Sequence, residues 1–156
     1  MAIPHGALFY ATQGVPMSQS RKLLKVVSLI QVVLAIVGIV CGGMLVANGV
    51  SSTEEISVFG MTLSGMVYLV GTGICLIVSG ALSLAGAMAG IRGANRPSSL
   101  GAHFGQSVSA LAFGVVAAVL CTATALMAQA IASVVLAVLA LGAAIFDKRC
   151  VKELDR

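Results

Sequence analysis

The sequence predicts an all-α membrane protein, a bundle of four transmembrane helices arranged as two antiparallel hairpins. Of its 156 residues, 59% are apolar and only 9% are charged, whereas about a quarter of an average soluble chain is charged. Four apolar segments are each long enough to supply the roughly 20 residues that a bilayer core requires. All nine Lys and Arg residues lie at the ends of these segments or outside them. Lipid is therefore the expected solvent for most of the surface.

The first transmembrane span is expected over residues 23–47, behind the basic cluster RKLLK and before Asn48 and Gly49. Residues 1–22 form a leader that contains no Lys or Arg before Arg21. It therefore lacks the positive region and compact apolar run of a secretory signal. We expect a short cytoplasmic segment.

The second span is expected over residues 61–89. It follows the polar stretch SSTEEISVFG, which carries Glu54 and Glu55, and it precedes the connection IRGANRPSSL. Arginine, serine and Pro97 in that connection are typical of a break between two helices.

The third and fourth spans share residues 101–146, a stretch without Asp, Glu, Lys, Arg or proline. One helix of this length would measure about 69 Å, over twice the hydrocarbon thickness of about 30 Å. The chain must therefore fold back. The polar run CTATALMAQ predicts the turn at residues 122–129, with spans over 103–122 and 129–146. The whole transmembrane domain then covers residues 23–146, and residues 147–156 form a tail.

The distribution of charge predicts the orientation. The basic residues lie in the leader, in the 91–100 connection and in the tail DKRCVKELDR, and the other two loops contain none. Cytoplasmic loops are enriched in Lys and Arg, so both termini and the middle connection are expected in the cytoplasm, with the protein in the cell membrane. This topology explains the net charge of +4 without a nucleic-acid partner.

The sequence predicts no catalytic residues, no cofactor and no metal site. An ionisable side chain inside a transmembrane bundle is costly and marks a functional site, and the segmentation places every Asp, Glu, Lys and Arg at a helix end or in a loop. His103 is interpreted as an interfacial histidine at the edge of span three, with a proton-handling group as the alternative. His103 and His5 fall short of a metal-ligand set, because neither has carboxylates or paired cysteines nearby in the sequence.

The four cysteines are scattered, with no CxxC spacing. Cys41, Cys75 and Cys121 lie in apolar segments, where cysteine packs as a small hydrophobe; the alternative is a disulfide between Cys41 and Cys75. Cys150 is expected as a surface thiol in the tail, with juxtamembrane palmitoylation as the alternative.

Small residues recur at four-residue spacing, which places them on one face of a helix. Such faces let transmembrane helices approach closely, so we expect helix contacts within the chain or with a second copy. The candidate packing residues are Gly38, Gly42, Gly71, Cys75, Ser79 and Ser83. Gln31 and Gln106 are expected to hydrogen-bond between helices, with a polar transport pathway as the alternative.

Span two, YLVGTGICLIVSGALSLAGA, resembles the second helix of the membrane-spanning four-domain family, the group that includes the B-cell surface antigen. Over about 20 residues, Gly71, Ser79, Gly80 and Ser83 carry the resemblance. It implies an oligomeric membrane organiser or channel-associated protein without enzymatic activity. The residues themselves predict a non-enzymatic structural or interaction protein that contacts lipid, a second copy or another membrane protein. The alternative is an oligomeric transporter or channel subunit.

Overall fold

The computed structural model describes residues 19–93, 100–124 and 126–154. Within these ranges the chain forms four long helices and one short hairpin. In order they are α1 (Gln19–Val50), β1 (Glu55–Val58), β2 (Met61–Ser64), α2 (Gly65–Gly93), α3 (Leu100–Ala123) and α4 (Met127–Leu154). Most of the predicted leader and residues 94–99 of the middle connection lie outside the described residues.

All four helices are long and apolar enough to cross a membrane, which confirms the prediction of four apolar helices. The longest, α1, has 32 residues, about 48 Å at 1.5 Å per residue, and therefore exceeds a hydrocarbon core of about 30 Å. Large apolar side chains remain exposed along the helices, among them Leu29, Val67 and Val138. In water such a surface would be costly, whereas lipid solvates it. The fold is that of a multi-pass membrane protein.

Each helix packs mainly on two others: α1 on α2 and α4, and α3 on α2 and α4. Small residues allow the closest of these contacts, between α1 and α2. A Cβ atom on Gly42 would lie 2.7 Å from the carbonyl oxygen of Gly73, and one on Gly73 would lie 2.7 Å from that of Gly42. One further contact lies seven residues along α2, where a Cβ on Gly80 would lie 2.9 Å from the carbonyl oxygen of Ala35. Contacts repeating at seven residues are typical of helices that cross at a shallow angle.

The hairpin between α1 and α2 differs from the prediction, because residues 61–64 form β2 instead of the start of span two. Val58 pairs with Met61, which leaves Phe59 and Gly60 as a two-residue loop. Both have positive φ, 51° and 81°, as a type I′ turn requires. The helix begins only at Gly65, whose backbone N–H donates to the Glu54 carbonyl at 2.8 Å.

The chain turns between Ala123 and Met127, inside the predicted interval 122–129. The Leu126 N–H donates to the carbonyl of Cys121 at 3.0 Å. At its other end α4 continues to Leu154, so most of the predicted tail is helical. No proline or glycine interrupts DKRCVKEL, and the helix passes through these charged residues.

Candidate functional site: a buried polar cluster

A histidine and a carboxylate meet between α3 and α4. His103 Nδ1 lies within hydrogen-bond distance of Asp147 Oδ2, and the two residues are 0% and 1% exposed. This corrects two predictions. His103 is buried between helices instead of exposed at the edge of the bundle, and Asp147, which the sequence assigns to the tail, places an ionisable carboxylate among the helices.

The antiparallel arrangement of α3 and α4 explains the pairing. When two helices fold back around one turn, residues equally distant from that turn lie opposite each other. His103 lies 20 residues before Ala123, where α3 ends, and Asp147 lies 20 residues after Met127, where α4 begins, so both are equally far from the midpoint of the turn. The predicted turn interval has almost the same midpoint. Counting equal numbers of residues from the predicted turn along both helices therefore leads from His103 to the neighbourhood of Asp147. Assigning the spans from the positions of the charged residues does not include this comparison.

A serine and a glycine from the other two helices complete this layer. A Cβ atom on Gly90 would lie 2.5 Å from Ser28 Oγ and 2.6 Å from His103 Nε2. Ser28 on α1 and His103 on α3 therefore both approach the bare backbone of α2 at Gly90. The glycine at this position makes room for both polar atoms.

Further polar side chains lie deeper in the same interior. Ser107 is one helical turn beyond His103, Gln31 is nearly one turn beyond Ser28, and Ser83 is two turns before Gly90; all three side chains are 0% exposed. We refer to these side chains together as the polar cluster, which consists of Ser28, Gln31, Ser83, His103, Gln106, Ser107 and Asp147.

Most polar atoms in the polar cluster have no hydrogen-bond partner among the described residues. They are Ser28 Oγ, Gln31 Nε2 and Oε1, Ser83 Oγ, His103 Nε2, Gln106 Oε1, Ser107 Oγ and Asp147 Oδ1. An unpaired buried polar group costs about 1 to 3 kcal/mol, and such groups are usually satisfied in native proteins. These eight unpaired atoms make the polar cluster the candidate functional site.

The cluster occupies the half of the protein that carries the basic residues, here called the basic end. Asp147 is 20 residues beyond the start of α4, about 30 Å along the helix. The His103–Asp147 pair therefore lies far from the turn between α3 and α4, inside the candidate membrane spans of both helices. The other half of the interior is mainly apolar, with a core of Leu45, Leu76, Ala117, Cys121, Ala130 and Leu136.

The predicted packing residues lie in different surroundings. Gly38 and Gly42 both face other helices, since a Cβ on Gly38 would lie 2.5 Å from Leu136 Cδ1. Along the predicted stripe of α2, Gly71 is exposed and Cys75 is half-buried, whereas Ser79 and Ser83 are buried. The reason is geometric: four residues span slightly more than one turn, so the row winds around the helix. Ser79 Oγ donates to the Ala110 carbonyl of α3 at 3.0 Å.

The two predicted pathway residues differ in burial. Gln31 is 0% exposed and has no side-chain hydrogen bond to any described residue, so the expected interhelical bond is not formed. Gln106 is half-buried, and its Oε1 is likewise unpaired. Gln31 lies three positions after Ser28, and Gln106 lies three positions after His103; the pathway interpretation of both stays a prediction.

The four cysteines pack against apolar side chains between the helices. Cys41 and Cys75 are separate thiols that pack on the apolar core, not the two halves of a disulfide. Cys150 is 2% exposed and lies in a small cluster with Leu24 and Phe146. The prediction of a surface thiol is therefore wrong, because α4 continues past residue 147 and presents this side chain to α1.

Within the described ranges, no three His, Cys, Asp or Glu side chains are grouped as a metal ion would require.

Comparison with known proteins gave no match. No family model, no curated protein and no solved structure matches the chain. The resemblance of span two to the membrane-spanning four-domain family stays a prediction.

Proposed function

We propose that this protein is a non-enzymatic component of a carrier or channel that moves protons across the membrane, with the polar cluster as the proton-binding site. The observation that carries the proposal is the buried pair of His103 and Asp147. An ionisable group in a transmembrane interior is costly and is typical of ion pathways and proton relays. Histidine suits this role because it binds and releases protons near neutral pH.

The surrounding atoms support a relay. Asp147 contacts one ring nitrogen of His103, and the other ring nitrogen points to the position where Ser28 approaches Gly90. A proton taken up by Asp147 can pass to His103 Nδ1, and Nε2 can release a proton towards Ser28. Gln31, Ser83 and Ser107 continue the polar surface inwards. Leu76 and Leu136 then interrupt it, so transfer to the other side requires these side chains to move, as in alternating access.

The predicted topology indicates the side of the membrane with which the His103–Asp147 pair exchanges protons. The basic end is expected in the cytoplasm by the positive-inside rule, so the pair exchanges protons with the cytoplasm in the resting arrangement. The apolar half closes the pathway on the outside. Ser28, His103 and Asp147 do bring a hydroxyl, a base and a carboxylate together, but Ser28 Oγ and His103 Nε2 have no hydrogen bond to each other, whereas an activated serine nucleophile is hydrogen-bonded to its base; we therefore propose a non-enzymatic role.

Proton flux into liposomes tests the proposal. Full-length protein is reconstituted with a trapped pH-sensitive dye, and a potassium gradient with valinomycin sets an interior-negative potential. We expect faster acidification than in empty liposomes, and loss of the excess rate in Asp147→Asn and His103→Ala. Glu54→Gln is the matched control, because it removes a carboxylate that is exposed and lies beside the hairpin. Flux equal to that of empty liposomes would refute proton movement.

The second candidate is a structural or interaction protein that associates with a second copy or another membrane protein. The observation in its favour is that several outward glycines meet nothing within 4 Å where a Cβ would be added, namely Gly43, Gly71, Gly101, Gly105 and Gly142. Small exposed residues allow close approach of another helix. If Gly71 lies in such a contact, Gly71→Leu will reduce the mass of the complex measured in nanodiscs. An unchanged mass would remove Gly71 from any interface.

A further inference from the structure

A surface groove between α3 and α4 has Asp147 in its wall. Its volume is about 300 Å³, and it is lined by Gly101, Phe104, Asp147, Lys148 and Val151. Asp147 thus belongs both to the wall of this groove and to the buried pair, although the residue is only 1% exposed.

We propose that this groove is the route by which water and protons from the basic end reach Asp147. The inference rests on the proposed function, since it takes Asp147 as the group that exchanges protons. The inference adds the place where protons enter the protein and the side chains that line their route.

Three features of the groove support this assignment. It lies where α3 begins and near the charged end of α4, at the basic end of the protein. The Lys148 ammonium lies 5.4 Å from the centre of the Phe104 ring at the groove, and a lysine ammonium is strongly hydrated. Gly101 is exposed, and a Cβ there would meet nothing within 4 Å, so the absence of a side chain leaves the groove wide.

The charged and titratable groups around the pair belong to all four helices. On α4 these are Lys148, Arg149 and the buried thiol of Cys150. On α1, half-buried Lys25 lies one turn before Ser28, and on α2, exposed Arg92 lies two residues after Gly90. α3 contributes His103 itself.

Narrowing the groove tests the route without altering the pair. Gly101→Phe places an aromatic ring at the groove, and Val151→Trp narrows it from the α4 side. Gly105→Phe is the control, since Gly105 is also exposed, lies one turn further along α3 and has nothing within 4 Å of an added Cβ. Gly105 does not line the groove. All variants retain His103 and Asp147.

The measurement is the rate at which a water-soluble carbodiimide with an amine nucleophile converts Asp147 to an amide. The full-length protein is embedded in nanodiscs at mildly acidic to neutral pH, and the modified peptide is quantified by mass spectrometry. This reagent pair reacts with carboxyl groups that water can reach. The exposed side chains of Glu54 and Glu55 are internal standards in every sample.

We expect Asp147 to react in the wild type and to react several-fold more slowly in Gly101→Phe and Val151→Trp, with Gly105→Phe and the two glutamate standards unchanged. Equal rates in Gly101→Phe and Gly105→Phe would overturn the route, as would an unreactive Asp147 beside reactive glutamates. The result is independent of liposome flux. Absent flux with the expected labelling pattern would refute proton transport and retain the groove, whereas normal flux with equal labelling rates would refute the groove alone.

Discussion

The contact between Gly42 of α1 and Gly73 of α2 should be intolerant of a single methyl group. In Gly42→Ala, the new Cβ would lie 2.7 Å from the Gly73 carbonyl oxygen and 3.0 Å from the Ile77 backbone nitrogen. Ordinary contact starts at 3.4 Å, so the two backbones must separate by about 0.7 Å, a shift that loses dispersion contacts between them. A rotamer change of Ile77, whose Cγ1 would also lie 2.7 Å away, cannot relieve the clash with the two backbone atoms.

The neighbouring glycine supplies the matched control. Gly43 has nothing within 4 Å of an added Cβ, so Gly43→Ala gains helix propensity, about 1 kcal/mol in soluble helices, without a clash. Gly42→Ala gains the same propensity but also has an overpacking cost of about 1 to 3 kcal/mol. The difference between the two variants isolates that cost. We expect Gly42→Ala to be less stable than Gly43→Ala by about 1 to 3 kcal/mol.

Reversible unfolding in mixed micelles, titrated with a denaturing detergent, measures this difference. Adding Gly73→Ala to Gly42→Ala should cost less than either change alone, because neighbouring substitutions that share one backbone shift are not additive. Equal stability of Gly42→Ala and Gly43→Ala would show that α1 and α2 do not cross at this point, and the helix packing described above would then be wrong.

Three further outcomes are expected. Ser79→Ala removes the hydrogen bond to the Ala110 carbonyl and should cost about 0.6 kcal/mol, the average for such bonds in a membrane; Ser109→Ala, which loses only a bond within α3, is its control in the same unfolding assay. Phe59→Asn replaces a residue with φ of +51° by one that tolerates this conformation, so amide exchange in the hairpin should slow by a factor that corresponds to about 1 kcal/mol; unchanged exchange would contradict the turn geometry. In intact cells, a membrane-impermeant thiol reagent should label a cysteine introduced at Ser52 and spare one at Ser98, and labelling at Ser98 would reverse the predicted topology.

Hydropathy alone predicts the four helices, because a transmembrane helix forms its backbone hydrogen bonds within itself and requires only a long apolar run of sequence. The hairpin was not predictable in the same way. The hairpin contains the apolar residues Val58, Met61 and Leu63, so its hydropathy does not distinguish it from the first turns of a transmembrane helix. Its turn is Phe-Gly instead of the Asn-Gly or Asp-Gly pair that is typical of a two-residue hairpin. The sequence also predicts the end of the fourth span at residue 146, where charged residues follow a long apolar run, whereas α4 continues to Leu154.

The polar cluster depends on contacts between helices, which segment-by-segment reasoning does not provide. His103 and Asp147 are 44 residues apart, and only the fold of α3 and α4 around their turn brings them together. The unequal burial of Gly71 and Ser83 has a similar origin, since the position of the neighbouring helices decides which part of a winding row is covered. By contrast, Gln31 was recognisable as an unusual polar residue in an apolar run before any contact was known.

The protonation of the His103 ring tests most directly whether an ionisable pair lies inside this membrane protein. Full-length protein with isotope-labelled histidine in nanodiscs gives the ring ¹⁵N signals by NMR over a range of pH, and His5 provides the comparison within the same chain. We expect a strongly hydrogen-bonded Nδ1 proton on His103 that exchanges slowly with water and is lost in Asp147→Asn. A His103 ring that exchanges as fast as His5, with the same signals in Asp147→Asn, would contradict the buried pair and the proton pathway built on it.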